Sequence, residues 1–223
     1  MNEFDKKPDE QQIPETDEIK QDNINAQDDI NAETSDSSDD VKMEIYDWLQ
    51  CFISALVVGI LIFIFLFRVI TVDGSSMNPT LVNGDKIIIS NLFYTPKYGD
   101  IIVLKAPSFR DEPLVKRIIA TEGQTIDIDF TEGVVYVDGE ALDEPYIAAP
   151  TMLDEDFRGE ITVPEGCVFV MGDNRNASTD SRTSSVGMID TREIFGKVYL
   201  IVFPGKDNSD NRDWSRIGGV KLA

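Results

Sequence analysis

The sequence predicts a β-rich domain over residues 69–204, preceded by one transmembrane helix at 48–68 and a disordered acidic tail at 1–47, with a polar segment at 205–223 behind it. Three observations carry that prediction. Residues 48–67 form a run of 20 without a charge, the stretch after it consists of short apolar runs broken by turn residues, and the tail holds few large apolar side chains. The net charge of −21 is uneven: residues 1–47 hold 16 acidic and 4 basic side chains, a net of −12, which leaves −9 for the other 176 residues. A nucleic-acid binder would show a basic face, and none is present.

The tail is rich in Asp, Glu, Asn, Gln and Ser. Such a segment cannot bury enough apolar surface to offset its ordering entropy, so it reads as a solvated, disordered tail. It does not open with the basic and short apolar regions of a cleavable export signal. Trp48 to Phe67 then extends about 30 Å as a helix, the hydrocarbon thickness of a bilayer. Tyr46 and Trp48 mark one interface and Arg68 the other. The 20 residues before the span contain one basic residue, Lys42, and the 20 after Phe67 contain two, Arg68 and Lys86. That weak bias leans against a domain on the outer side.

Beyond Arg68 the strands follow in order. Lys86 to Ser90 comes after Asn83-Gly84-Asp85, Ile101 to Leu104 after Gly99-Asp100, and Val115 to Ala120 before Glu122-Gly123. Ile126 to Asp129 alternates, Val134 to Val137 meets the hairpin pair Asp138-Gly139, and Val168 to Met171 and Val198 to Phe203 complete the set. No long amphipathic helix interrupts them. Two cysteines, Cys51 in the apolar run and Cys167 in a strand, give no disulfide framework, and Cys167 reads as a small buried apolar residue.

The chain has no histidine. That excludes a Ser-His-Asp triad, a Cys-His dyad and every His-ligated zinc site. A serine nucleophile would need another base. Asp73-Gly74-Ser75-Ser76-Met77-Asn78-Pro79-Thr80-Leu81 is a turn that can expose a serine beside its own amide N–H. A lysine can serve as base once neutral, but at an ordinary pKa of about 10.4 only roughly one in 2,500 is neutral at pH 7. Burial lowers that pKa. Period two places Leu114, Lys116 and Ile118 on one strand face with Arg117 on the other, which makes Lys116 the best candidate. Lys86 is the rival, at what reads as a solvated strand start beside Asp85. A third dense region, Gly172 to Arg182, offers Asp180 and Arg182 as a buttressing ion pair and Ser178 as a partner for a neutral amine. A divalent cation is the alternative occupant of that loop, although the closing Glu of a calcium loop is missing.

Taken together these segments resemble the bacterial type I signal peptidases. Ser76-Met77-x-Pro79-Thr80-Leu81 resembles the family's nucleophile box, Asn83-Gly84-Asp85 the next, Lys116-Arg117-Ile118 the general-base box, and Gly172-Asp173-Asn174-Arg175 through Ser178-x-Asp180-Ser181-Arg182 the last. Val137-Asp138-Gly139 with Leu142-x-Glu144-Pro145-Tyr146, Val163-Pro164-Glu165-Gly166 and Ile194-x-Gly196-Lys197 are similar to the single-span members from Gram-positive bacteria. The resemblance implies antiparallel sheets, Ser76 as nucleophile, Lys116 as base, and Ser178, Asp180 and Arg182 in support. It also implies shallow apolar pockets for an Ala-x-Ala signal, with Val72, Leu81, Ile87 and Val115 as candidate walls. Preprotein signal peptides and the lipid bilayer follow as partners, with the secretion translocon as a further candidate, and no cofactor, metal or nucleic acid is called for. The implied location is a bacterial cell membrane, single-pass, with a cytoplasmic N-terminus and an extracytoplasmic catalytic domain. Gly74, Ala177 and Gln124 depart from the family's pattern, and none touches the dyad.

Other classes fit less well. Self-cleaving repressors share Ser/Lys chemistry but carry a DNA-recognition segment and no span. Penicillin-binding proteins need Ser-x-x-Lys, which does not occur here. A catalytically silent membrane scaffold that binds secretion partners through the tail is the non-enzyme alternative, and intact Ser76 and Lys116 argue against it.

Overall fold

The computed structural model describes residues 17–206 and 210–220. The chain divides into two units, residues 1–60 and 61–223. The first part of the acidic tail, up to residue 16, lies outside the described residues. From there one helix, α1, runs Asp17–Leu66. Residues 17–47 are therefore helical where the composition predicts no regular structure. Extending a helix adds one hydrogen bond per residue without a second nucleation, so a stable span can carry a polar extension. The Val41–Leu66 portion is long and apolar enough to cross a membrane. In lipid such a segment must satisfy its backbone groups internally, which a helix does. The helix stops at Leu66, two residues short of the expected end, because Arg68 already pairs with Ile89 as the first residue of a strand.

The second unit is β-rich, as the sequence predicts. Its strands are β1 (Arg68–Thr71), β2 (Lys86–Ser90), β3 (Ile101–Ala106), β4 (Arg110–Thr121), β5 (Thr125–Asp129), β6 (Val134–Val137), β7 (Glu140–Ala141), β8 (Ile161–Thr162), β9 (Cys167–Met171), β10 (Ile189–Asp190), β11 (Ile194–Phe203) and β12 (Gly218–Gly219). The larger sheet has the order β1-β2-β11-β3-β4-β9-β10, with β12 also on β11, and the smaller has β7-β6-β5-β8. Every neighbouring pair is antiparallel. The Asp138-Gly139 turn between β6 and β7 has positive φ at both residues, the geometry a two-residue hairpin demands.

Strand β3 explains why the run Ile101–Leu104 does not alternate. Ile101 and Val103 pack into one apolar cluster with Val72, Met77, Leu81, Ile87 and Ile89, while Ile102 and Leu104 pack into another with Leu114, Ile118 and Val170. Both faces of the strand are buried, so both must be apolar. Cys167, expected to be buried, is half-buried at the start of β9, where the strand meets its edge partner β10. The C-terminal segment, read from sequence as a loose end, instead contains a short 3-10 turn at Trp214–Arg216 and then β12.

Candidate active site

Residues 73–81 form a turn between β1 and β2 whose underside is nailed down by Met77 and Leu81, 1% and 0% exposed. The Leu81 N–H donates to Met77 O at 2.9 Å and the Asn78 N–H to Ser75 O at 3.1 Å, so the turn closes around its own apolar anchors. Ser76 is left half-buried on the upper side. Among the described residues its amide N–H donates to no acceptor, which leaves it open to a charge developing beside the hydroxyl.

Lys116 lies in the middle of β4 and is 2% exposed, between Leu114 and Ile118 at 6% and 0%. Its Nζ is 2.8 Å from Ser76 Oγ. Burial is the main cause that lowers the Lys116 pKa from 10.5 to about 8. Asp180 and Glu155 pull it back up, while Arg110 and Arg182 repel the ammonium and add to the depression. Lys86, the rival, is exposed at the start of β2, its Nζ 5.8 Å from the centroid of the Phe203 ring.

The loop 172–182 packs against the turn from the side of β9. A Cβ on Gly172 would fall 2.2 Å from Ser178 Oγ and 2.5 Å from Ser76 O, so only glycine lets the two segments come this close. The Asn174 N–H donates to Ser76 O at 3.0 Å and its side-chain amide to Ser75 O at 3.1 Å. The Ser178 hydroxyl donates to Asp180 Oδ2 at 2.8 Å; Lys116 was the expected partner of that hydroxyl. Asp180 also accepts from the Gly172 N–H and, through both oxygens, from the Arg182 guanidinium, each at 2.9 Å. The expected Asp180–Arg182 pair is thus present, with both side chains fully buried. As for the cation alternative, Asp180 is held by Arg182 and Asp173 by Arg117, and no group of three or more acidic or cysteine side chains among the described residues is placed to hold a metal.

A cavity of about 190 Å³ opens beside the Ser76 hydroxyl. Val72 and Val115 line it, together with Met77, Leu114, Phe109 and Ala177. Leu81 and Ile87, expected as walls, do not line it: both are 0% exposed and belong to the apolar cluster that includes Met77. Their strand-face periodicity is real, but it points them into the core.

Several ion pairs escaped the sequence reading. Arg117 forks onto Asp173 at 2.8 and 2.7 Å and lies 3.9 Å from the centre of the Tyr146 ring. Arg175 pairs with Glu144 and also donates to Thr151 Oγ1 at 2.9 Å. Thr80 donates its hydroxyl to Asp173, which ties the nucleophile turn to the residue next to Lys116. The hint in the sequence was that Arg117 and Arg175 lie in or just beyond apolar strands, where an unpaired charge is too costly to bury.

The family model described as signal peptidase, peptidase S26 matches residues 45–203. A protein named signal peptidase I from Bacillus licheniformis is 34% identical over 182 residues, covering 77% of this chain and 95% of that one. Signal peptidase I S from Bacillus subtilis is 35% identical over 178 residues, covering 73% and 91%. A probable signal peptidase I-1 from Synechocystis is 34% identical over 174 residues, covering 74% and 82%.

Proposed function

The chain belongs to the signal peptidase S26 family of serine endopeptidases, and on that premise we propose that Ser76 and Lys116 are the dyad with which it removes N-terminal signal peptides from exported preproteins. The observation that carries this reading is the 2.8 Å approach of a buried lysine nitrogen to a serine hydroxyl in a chain without histidine. With the amine neutral, the Ser76 hydroxyl donates its proton to Lys116 Nζ as its oxygen attacks the peptide carbonyl. The carbonyl oxygen gains charge beside the Ser76 N–H, which stabilises the tetrahedral state. Lys116 then gives the proton to the departing amine, leaving an ester on Ser76. A water molecule, deprotonated by Lys116, hydrolyses that ester and restores the hydroxyl.

The arrangement around the dyad supports this division of labour. Asp180 anchors Ser178, Gly172 and Arg182, and we assign Ser178 the role of accepting from the Lys116 amine through its remaining lone pairs. The small apolar cavity between Val72, Met77, Leu114 and Val115 suits the short side chains of an Ala-x-Ala site. The Val41–Leu66 helix would hold the enzyme in a bacterial cell membrane with the N-terminus in the cytoplasm and the catalytic unit outside, where signal peptides emerge from the secretion translocon. Anchoring raises the effective concentration of a site that must meet membrane-bound substrate.

Incubation of the full chain in detergent with a synthetic precursor peptide tests the reading. Wild-type protein cleaves after the Ala-x-Ala segment, and Ser76→Ala leaves the peptide intact while keeping the near-UV spectrum of the folded domain. Cleavage by the Ser76→Ala protein at the wild-type rate would end the proposal.

A further inference from the structure

After β11 the chain returns to the bend that follows the nucleophile turn. Gly205 passes so close that a Cβ there would lie 2.1 Å from Asn83 O, and its N–H donates to Asp85 Oδ1 at 2.6 Å. Residues 210–220 then lie across this region. Arg212 stacks 4.0 Å from the Phe203 ring centre, Gly218 and Gly219 pair with Ile201 and Leu200, and Val220 packs against the apolar cluster that holds Met77 and Leu81. Between these attachments Arg216 reaches inward. Its guanidinium forks onto the fully buried Asp85 at 2.9 and 2.7 Å and donates to Thr80 O at 3.0 Å.

We propose that residues 210–220 are a strap that sets the position of the Ser76 turn, and that Arg216 is its positioning residue; the proposal rests on the Ser76/Lys116 reading. Each end of the linkage is on the page. Asp85, held by Arg216, accepts from the Val82 N–H at 2.7 Å and so fixes the exit of the turn. The Asn83 side chain, in the same bend, accepts from the Gly74 N–H at 2.9 Å and fixes its entrance. Thr80 has its carbonyl on Arg216 and its hydroxyl on Asp173, which Arg117 binds one residue from Lys116. One guanidinium therefore holds residues 80 and 85 of the nucleophile segment together, and the Thr80 hydroxyl, through Asp173 and Arg117, joins that held segment to the strand that carries the base. Asp85 has no other cationic partner among the described residues. Removing the clamp frees the turn to shift against β4, and a misplacement of about 1 Å costs roughly a hundredfold in rate. Arg216 is not among the cavity walls, so it acts on the peptide site only through the turn.

The test measures single-turnover cleavage of a precursor peptide by the full chain in detergent, with rates normalised to the folded fraction from near-UV circular dichroism. Arg216→Gln should lower the maximal rate about ten- to a hundredfold and leave the half-saturating peptide concentration within about twofold. Arg216→Lys keeps the charge but loses the fork, and should recover part of the rate. An unchanged normalised rate in Arg216→Gln, or a weakened peptide affinity at full rate, overturns the strap. Should Arg216→Gln fail to fold, Arg216→Lys decides: an intermediate rate at unchanged affinity supports the proposal and a wild-type rate overturns it. Ser76→Ala runs alongside. If it still cleaves, the dyad reading has failed; if it is inactive while Arg216→Gln is fully active, only the strap has.

Discussion

The middle of β4 and the start of β2 each carry a lysine beside an isoleucine run, and they behave in opposite ways. Lys116 has apolar neighbours along its own strand face, is 2% exposed and meets Ser76 at 2.8 Å. Lys86 is the first residue of its strand, follows the Asn83-Gly84-Asp85 bend, and is exposed, with its ammonium over the Phe203 ring. The same side chain is a base in one place and a solubilising charge in the other. What separates them is position along the strand: a mid-strand lysine between buried apolar neighbours is largely shielded from water, whereas a long side chain at a strand end can snorkel.

The comparison breaks most sharply under substitution. Lys116→Ala should reduce peptide cleavage at least about a thousandfold, because it removes the proton acceptor of both half-reactions. A folded Lys116→Ala protein with wild-type turnover would erase the distinction between the two lysines. A smaller effect comes from pH. The neutral amine is the active form and its pKa is depressed to about 8, so activity rises as pH passes upward through that value. Below it the rate should fall about tenfold per pH unit, since each unit cuts the neutral fraction by that factor. A rate that is level from pH 5 to pH 8 would remove the amine from the rate law. Lys86→Ala sits at the bottom of the scale, with an expected change within about twofold in the same assay. A large loss there would show that exposure is the wrong criterion.

Much of this site was legible because it is encoded locally. The lysine stands out from the period-two neighbours Leu114 and Ile118, the serine from the Gly74–Pro79 turn, and the hairpin from Asp138-Gly139. What the sequence hid is pairing at a distance. Arg117 meets Asp173 across 56 positions and Arg216 meets Asp85 across 131, and no local pattern records either partner. For the same reason the C-terminal segment looked loose: its order comes from Asp85 and β11, not from any periodicity of its own. Leu81 and Ile87 failed differently. Apolar residues next to a site are usually walls or core, and only the fold shows that Met77 and Val115 face the cavity while Leu81 and Ile87 lie beneath it. The helix at 17–47 has a third cause, since it continues a span whose nucleation is already complete.

Direct titration of Lys116 tests the central claim without passing through catalysis. With lysine labelled at Cε and the Lys116→Ala protein used to assign the signal, nuclear magnetic resonance in detergent follows the ionisation of this one amine. A midpoint near 8 is expected, and a midpoint at 10.5, the ordinary lysine value, would contradict the account.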